Sequence, residues 1–327
     1  MVEPIANLPD SQIAPQEGQR GRAFLYALIA TLLFGTAYVG AKVVLRELPP
    51  FTAAASRFVI STVILWTILL ARGKPPRPRG DDWKTLAIAG IFQTTLYFAF
   101  QYTGLGYTSA SNTAVIANSR PIFVALLSAV LLAEPLRRGR VLGIIIAFGG
   151  VLLLTTDGRI SSLSFSSTHA FGDFLIVLNA MSGAVGLVYN KKTLSRLPVL
   201  PVIVYSTTVG AAGLLPLAAL ELRKIGVPHV SLTAWGGVIY LAIFCSTIPY
   251  LFWYSALARL EAAQTAVFLF FVPVVSVILS VVLLGEHISV YFVIGALLVL
   301  AGAYLTNHRT SQPAAAVRVS ADGRRTP

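Results

Sequence analysis

The residues best placed to do chemistry lie inside long apolar stretches. Arg120 sits near the middle of the run 109–133, at a depth where a charge costs roughly 2.5–3.5 kcal/mol on membrane-insertion scales. Asn112 and Ser119, seven residues apart, share a helical face, with Thr113 and Arg120 about 100° round it, so this run carries one polar stripe. A planar guanidinium there suits a carboxylate or phosphate; the competing reading is an arginine bonded to the carbonyls of a broken helix. Similar rows recur as Gln93, Tyr97 and Gln101; as Thr31, Gly35, Tyr38 and Lys42; as Asn179, Ser182 and Tyr189; and as Ser246, Tyr250 and Tyr254. Such rows on apolar helices imply that they face protein or a hydrated cavity. Phe268, Phe270 and Phe271 offer an aromatic wall opposite the cation. The expected substrate-binding set is therefore Arg120, Ser119, Asn112, Tyr38, Gln93, Tyr97, Gln101, Asn179, Ser182, Tyr250 and Phe271.

Other chemistries lack their residues. The four histidines, His169, His229, His287 and His308, lie outside the apolar runs or at their edges, and no Asp or Glu falls near a run's centre. An intramembrane proton relay of the usual kind is missing. There is no phosphate-binding glycine loop, no metal-ligand spacing and no nucleophile with its base. The expectation is a protein that is not an enzyme and carries no metal or cofactor. Cys245 is the single cysteine, so no intramolecular disulfide forms. Arg57 is expected to pair with an acid such as Asp173 or Glu286, and Lys42 to snorkel. Pro121 and Pro273 each lack an N–H and crowd the carbonyl four residues back, which predicts helix kinks.

The elements that must position these groups follow from composition. At 56% hydrophobic and 12% charged, the chain is far from a soluble average of roughly 25% charged. Ten stretches approach the ~20 residues that cross a bilayer: 23–45, 51–71, 85–105, 109–133, 139–156, 171–190, 198–220, 234–257, 261–284 and 288–306. They are continuously apolar, hence helices and not barrel strands. The net charge of +12 reflects orientation, not nucleic-acid binding. With the N-terminus in the cytoplasm, the tails and same-side connections carry 18 of the 25 Lys and Arg, against four (Arg46, Arg159, Arg223 and Lys224) on the other face. That positive-inside bias puts both termini in the cytoplasm. Residues 1–22 and 308–327 are expected to be disordered tails, and no cleaved signal peptide is evident.

The chain also contains itself twice. Asn112–Leu153 aligns without a gap on Gln264–Leu305, an offset of 152 residues that pairs Thr113-Ala114-Val115 with Thr265-Ala266-Val267, Pro121 with Pro273, and Glu134 with Glu286. Five spans per copy make the second half enter the membrane upside down. The expected division is a first repeat at 23–156, an external loop at 157–170 and a second repeat at 171–307. Glu134 and Glu286 are read as braces for helix ends. Gly143 and Gly150, with Gly295 and Gly302, are read as helix-packing or dimer faces.

On these features the chain resembles the EamA-type drug/metabolite transporters. The resemblance rests on Pro121…Leu131-Leu132-Ala133-Glu134, its copy Pro273…Leu283-Leu284-Gly285-Glu286, Phe34-Gly35-Thr36, and Ser56-Arg57-Phe58, and covers about 23–307. Family members more often carry Trp where Phe34 stands. The resemblance implies an all-α integral membrane protein that moves small metabolites, often exporting amino acids. The expected function is a secondary transporter, an exporter of amino acids or organic acids by alternating access in the bacterial inner membrane. The alternatives are an anionic-metabolite exchanger and a non-transporting multi-span protein. Its expected partners are a small-molecule substrate, the lipid bilayer and, as an alternative to a monomer, a second copy of the chain; nucleic acid is excluded.

Overall fold

The computed structural model describes residues 15–73, 77–159, 161, 163, 169–284 and 289–307. Among them all regular structure is helical. That is what apolar runs impose, because lipid offers no partner for a free backbone N–H or C=O. The elements are α1 (Pro15–Val44), α2 (Pro50–Ala71), α3 (Gly80–Gly90), α4 (Tyr97–Leu105), α5 (Ala110–Ala117), α6 (Arg120–Leu131) and α7 (Arg138–Thr156), followed by α8 (Ala170–Leu194), α9 (Val199–Ile225), α10 (Leu232–Ala242), α11 (Ile248–Leu257), α12 (Ala262–Ala266), α13 (Phe271–Leu284) and α14 (Val290–Asn307). A π-helical turn, Ile91–Leu96, joins α3 to α4; another, Ile243–Thr247, joins α10 to α11; a 3-10 turn, Val267–Phe270, joins α12 to α13.

Nine helical segments among the described residues are long and apolar enough to cross a membrane: α1, α2, α5–α6, α7, α8, α9, α10–α11, α12–α13 and α14. The expected third span falls outside this set. The α3–α4 segment is helical throughout, but Gln93, Thr94, Thr95 and Gln101 make it too polar to qualify. Those groups turn inward instead: Thr94 is buried and Thr95 Oγ1 donates to the Gly210 carbonyl at 3.0 Å.

The sequence offset reappears in the backbone. The two π turns begin at Ile91 and Ile243, and α5 and α12 begin at Ala110 and Ala262, in each case 152 residues apart. The runs expected as single fourth and ninth spans are both interrupted, one at Asn118–Ser119 and one at the 3-10 turn. Pro121 becomes the second residue of α6, where its missing N–H would lack a helical partner anyway; Pro273 is the third residue of α13.

The packing follows the same exchange. α7 lies along α14, α2 along α9 and α6 on α12; α1 packs on α10–α11 and on α13, as α8 packs on α3–α4 and on α6. Apart from the α6–α12 pair, swapping the halves turns this set of pairs into itself. Glycines bring α7 and α14 to backbone contact: a Cβ on Gly150 would lie 2.6 Å from the Gly295 carbonyl oxygen. The outer faces of these two helices expose Leu142, Ile145, Leu297 and Leu300, a lipid-facing surface. Inside, Phe58, Leu65, Leu187, Ile203, Leu214 and Leu257 form the main buried core on α2, α8, α9 and α11.

Carboxylates tie the ends together. Glu221 of α9 accepts from the Thr52 N–H (2.7 Å) and Phe51 N–H (3.2 Å) in the first turn of α2; Glu47 accepts from the Ser231 N–H (2.7 Å) and hydroxyl (2.8 Å) at the start of α10. Glu134 accepts from the Ala262 N–H at 2.8 Å at the start of α12. Each satisfies donors that a helix start leaves open. Arg140 pairs with Glu261, and Lys191 Nζ donates to the Leu257 and Leu260 carbonyls at 2.7 Å each.

Candidate functional site

Arg120 opens α6 at the interruption midway through its span, so its side chain leaves the helix beside a chain break. Its Nη2 donates to Gln93 Oε1 at 3.0 Å, and its guanidinium carbon lies 5.5 Å from the centre of the Tyr97 ring, within cation–π range. Gln93 belongs to the first π turn and Tyr97 to the first turn of α4, one helical turn apart. Among the described residues no carboxylate lies within ion-pair distance of Arg120. Its Nε is buried with no acceptor among them. Two carbonyls at the break have other side-chain donors: Asn118 Nδ2 donates to Ala114, and Ser119 Oγ donates to Ile116 at 2.6 Å. The reading of Arg120 as a donor to broken-helix carbonyls therefore has no counterpart in the described bonds.

α8 forms the floor of this group. Asn179 Nδ2 donates to the Tyr97 carbonyl and Ser182 Oγ to the Phe92 carbonyl, each at 2.7 Å, and both side chains are buried. These two bonds hold a widened backbone turn whose regular helical bonding is broken, a local shape that recurs at functional sites. Rings close the other side. Tyr250 meets Phe34 at 6.0 Å edge-on, Phe58 at 6.3 Å and Tyr254 at 5.8 Å between ring centres; Phe98 links Phe58 (5.2 Å) to Tyr97 (5.2 Å).

The structure thus brings together Arg120, Gln93, Tyr97, Asn179 and Ser182, with Tyr250 in the adjoining ring cluster. Gln101 continues the Tyr97 face one turn on. Ser119 turns back onto its own helix end. Asn112 is engaged elsewhere, donating to Asp173 Oδ1 at 3.0 Å. Phe271 stacks on Phe268 at 5.9 Å, and Phe270 packs against Phe148 in the core shared with α7 and α14. The rings that meet one another beside Tyr97 are those of Phe34, Phe58, Phe98 and Tyr250, and Phe268 packs against the same core. The side chain of Tyr38 lies outside the described residues, as do Glu286 and His287.

One pairing needs correcting. Arg57 does not meet Asp173, whose carboxylate is occupied by Thr108 and Asn112. Its Nε donates to Ser246 Oγ and its Nη2 to the Cys245 carbonyl, both at 2.6 Å. Arg57 therefore staples the second π turn much as Ser182 secures the first, because a widened turn leaves carbonyls that need a donor. Gly183, against which Arg120 rests, was absent from the expected set. Its place one turn from Asn179 on a polar face was the available signal.

The EamA-like transporter family model matches residues 21–156 and 170–308, one copy on each half. The chain belongs to this family, and it is a multi-pass membrane transporter. It is similar to an uncharacterized transporter of Archaeoglobus fulgidus, 28% identical over 291 residues spanning 89% of this chain and 99% of that one. A Salmonella typhimurium protein named a probable amino-acid metabolite efflux pump is 28% identical over 85% of this chain and 92% of its own. A solved crystal structure superposes with a TM-score of 0.75 at 24% identity, covering 88% of this chain and 96% of that one; it speaks to the fold alone.

Proposed function

We propose that this protein is a secondary exporter of small metabolites carrying a carboxylate, amino acids or organic acids, working by alternating access in the bacterial inner membrane. The observation that carries the reading is Arg120: a guanidinium at mid-span depth with an amide and an aromatic face as partners and, among the described residues, no carboxylate in ion-pair range. A substrate anion would supply the missing charge, and bidentate guanidinium–carboxylate pairing is among the stronger hydrogen-bonded contacts. The named activity of the Salmonella relative supports export of an amino-acid metabolite. The near-exchange symmetry of the helix pairs supports two inverted five-span repeats with α3–α4 as a tenth span, and the bias of basic residues supports cytoplasmic termini. In such an arrangement one half rocks against the other around a central site.

The test is counterflow in proteoliposomes without ATP, with a panel of labelled amino acids and organic acids. Flux above empty liposomes for at least one solute is the expected result. No flux across the panel from protein shown to be folded would remove the carrier reading. The same unneutralised arginine also favours a second reading, exchange of anionic metabolites. Counterflow restricted to dicarboxylates or phosphate esters, with neutral amino acids inert, would select it.

A further inference from the structure

Gly183 of α8 lies where a side chain would strike the guanidinium of Arg120. A Cβ built on it meets Nε at 2.7 Å, Cζ at 2.9 Å and Cδ at 3.0 Å. One turn on, Gly186 makes room for the turn that bears Arg120's acceptor: its Cβ would lie 2.6 Å from both the Cβ and N of Gln93. Asn179, Ser182, Gly183 and Gly186 follow the spacing i, i+3, i+4, i+7, a single helical face. Two members bond to the first π turn and its exit, and two are hollows that seat Gln93 and Arg120.

We infer that Gly183 is a specificity-determining positioning residue, which recesses the Arg120 guanidinium into the wall of the site and leaves space before it for a ligand's carboxylate or phosphate. This rests on the reading of Arg120 as the anion-binding group. A packing glycine has a different signature. Gly150 faces the backbone of Gly295, and a methyl there must push two helices apart. Gly183 faces the end of a long side chain, which can move without its helix. Normal carbon contacts lie near 3.5–4.0 Å, so Gly183→Ala displaces the guanidinium by about 1 Å while leaving α6 and α8 in place. The displaced group strains its bond to Gln93 and occupies the volume meant for the anion.

The test compares wild type, Gly183→Ala and Gly150→Ala as purified full-length protein. Phenylglyoxal, which condenses with accessible guanidinium groups, is added, and the adduct on the Arg120 peptide is followed by mass spectrometry. Gly183→Ala is expected to raise the modification rate at Arg120 about threefold or more, while Gly150→Ala lowers the melting temperature and leaves that rate unchanged. An unchanged rate in folded Gly183→Ala overturns the inference. So does a Gly183→Ala protein that fails to fold, since that is the behaviour of a helix-packing glycine. In a parallel arm, L-phenylalanine counterflow should show KM raised roughly tenfold in Gly183→Ala with the maximal rate within about twofold of wild type, in line with the sensitivity of sites to ångström-scale misplacement. A maximal rate that falls while KM holds contradicts the positioning role. Wild-type protein that does not move L-phenylalanine counts against that substrate alone, while the adduct rate still decides Gly183.

Discussion

At the residue scale the argument turns on what a lone guanidinium does among apolar helices. Among the described residues Arg120 meets the Gln93 amide and the Tyr97 ring, and the equivalent position in the second half is Val272, so the architecture does not require a cation there. Arg120→Leu is expected to abolish flux of carboxylate substrates while the protein melts within a few degrees of wild type. Arg120→Lys keeps the charge but loses the planar fork. A hydrogen bond to a charged group contributes about 1.5–3 kcal/mol, so Arg120→Lys should lower transport efficiency by roughly 10- to 150-fold. Flux and thermal unfolding measured on the same preparations check both, and normal flux in folded Arg120→Leu would take Arg120 out of the site. Arg120 was legible in the sequence because a charge in an apolar run stands out. Asn112 shows where periodicity stops: it shares the stripe, yet its amide is taken by Asp173 at the start of α8, a long-range contact that no spacing reveals. Gly183 was overlooked for the opposite reason: its place on the Asn179 face was readable, but a missing side chain draws no notice until its neighbour is in place.

At the element scale three glutamates act as caps. A helix start leaves several N–H groups without partners, and Glu47, Glu134 and Glu221 each fill that role for a helix of the other half. The sequence reading of Glu134 as a brace for helix ends matches its bond to Ala262. Glu47 and Glu221 carried no such mark, because their partners lie far along the chain. The Ser231 N–H, with its hydroxyl, holds the Glu47 carboxyl below the usual carboxylate range. A depressed value means that the ionised cap stabilises the fold above the unfolded carboxylate value of about 4.3, and that this contribution is lost as pH falls through the lower folded value. Glu47→Gln should therefore melt below wild type at pH 6–7, and the gap should close as pH falls below about 4. Melting curves of both proteins across that range are the check; a gap that persists in acid would show that the ionised form contributes nothing. The π turns were not legible at all. Ile91-Phe92-Gln93-Thr94-Thr95 recurs as Ile243-Phe244-Cys245-Ser246-Thr247 at the same offset of 152 residues, but an apolar run with a few hydroxyls reads as ordinary helix until the widened turn is seen.

At the scale of the whole molecule, the duplication and the packing glycines of α7 and α14 were legible in the sequence, while the helix pairs themselves and the count of crossings were not. The repeat pairs like helices with like, as α7 lies on α14 and α2 on α9, because each half presents the same faces. The count wavered at α3–α4, since the helix that carries Gln93 and Tyr97 to Arg120 must be polar and so loses the hydropathy by which spans are recognised. One experiment decides whether it crosses. If it does, five crossings separate the N-terminus from Ser161, which then lies on the opposite side; if it does not, four crossings return Ser161 to the same side. Ser161 and Ser195 are both exposed, with α8 between them, while the native Cys245 is buried and gives little background. In intact cells carrying an N-terminal cytoplasmic reporter, Ser161→Cys should react with a membrane-impermeant maleimide, and Ser195→Cys only after permeabilisation. Reaction of Ser195→Cys alone would invert the second half and leave α3–α4 outside the bilayer. Reaction of both without permeabilisation would remove α8 as a crossing. The charge bias of 18 against four favours the first outcome, because basic connections are retained on the cytoplasmic face. That outcome would give α3–α4 the membrane depth at which Gln93 can meet Arg120 from across the bundle.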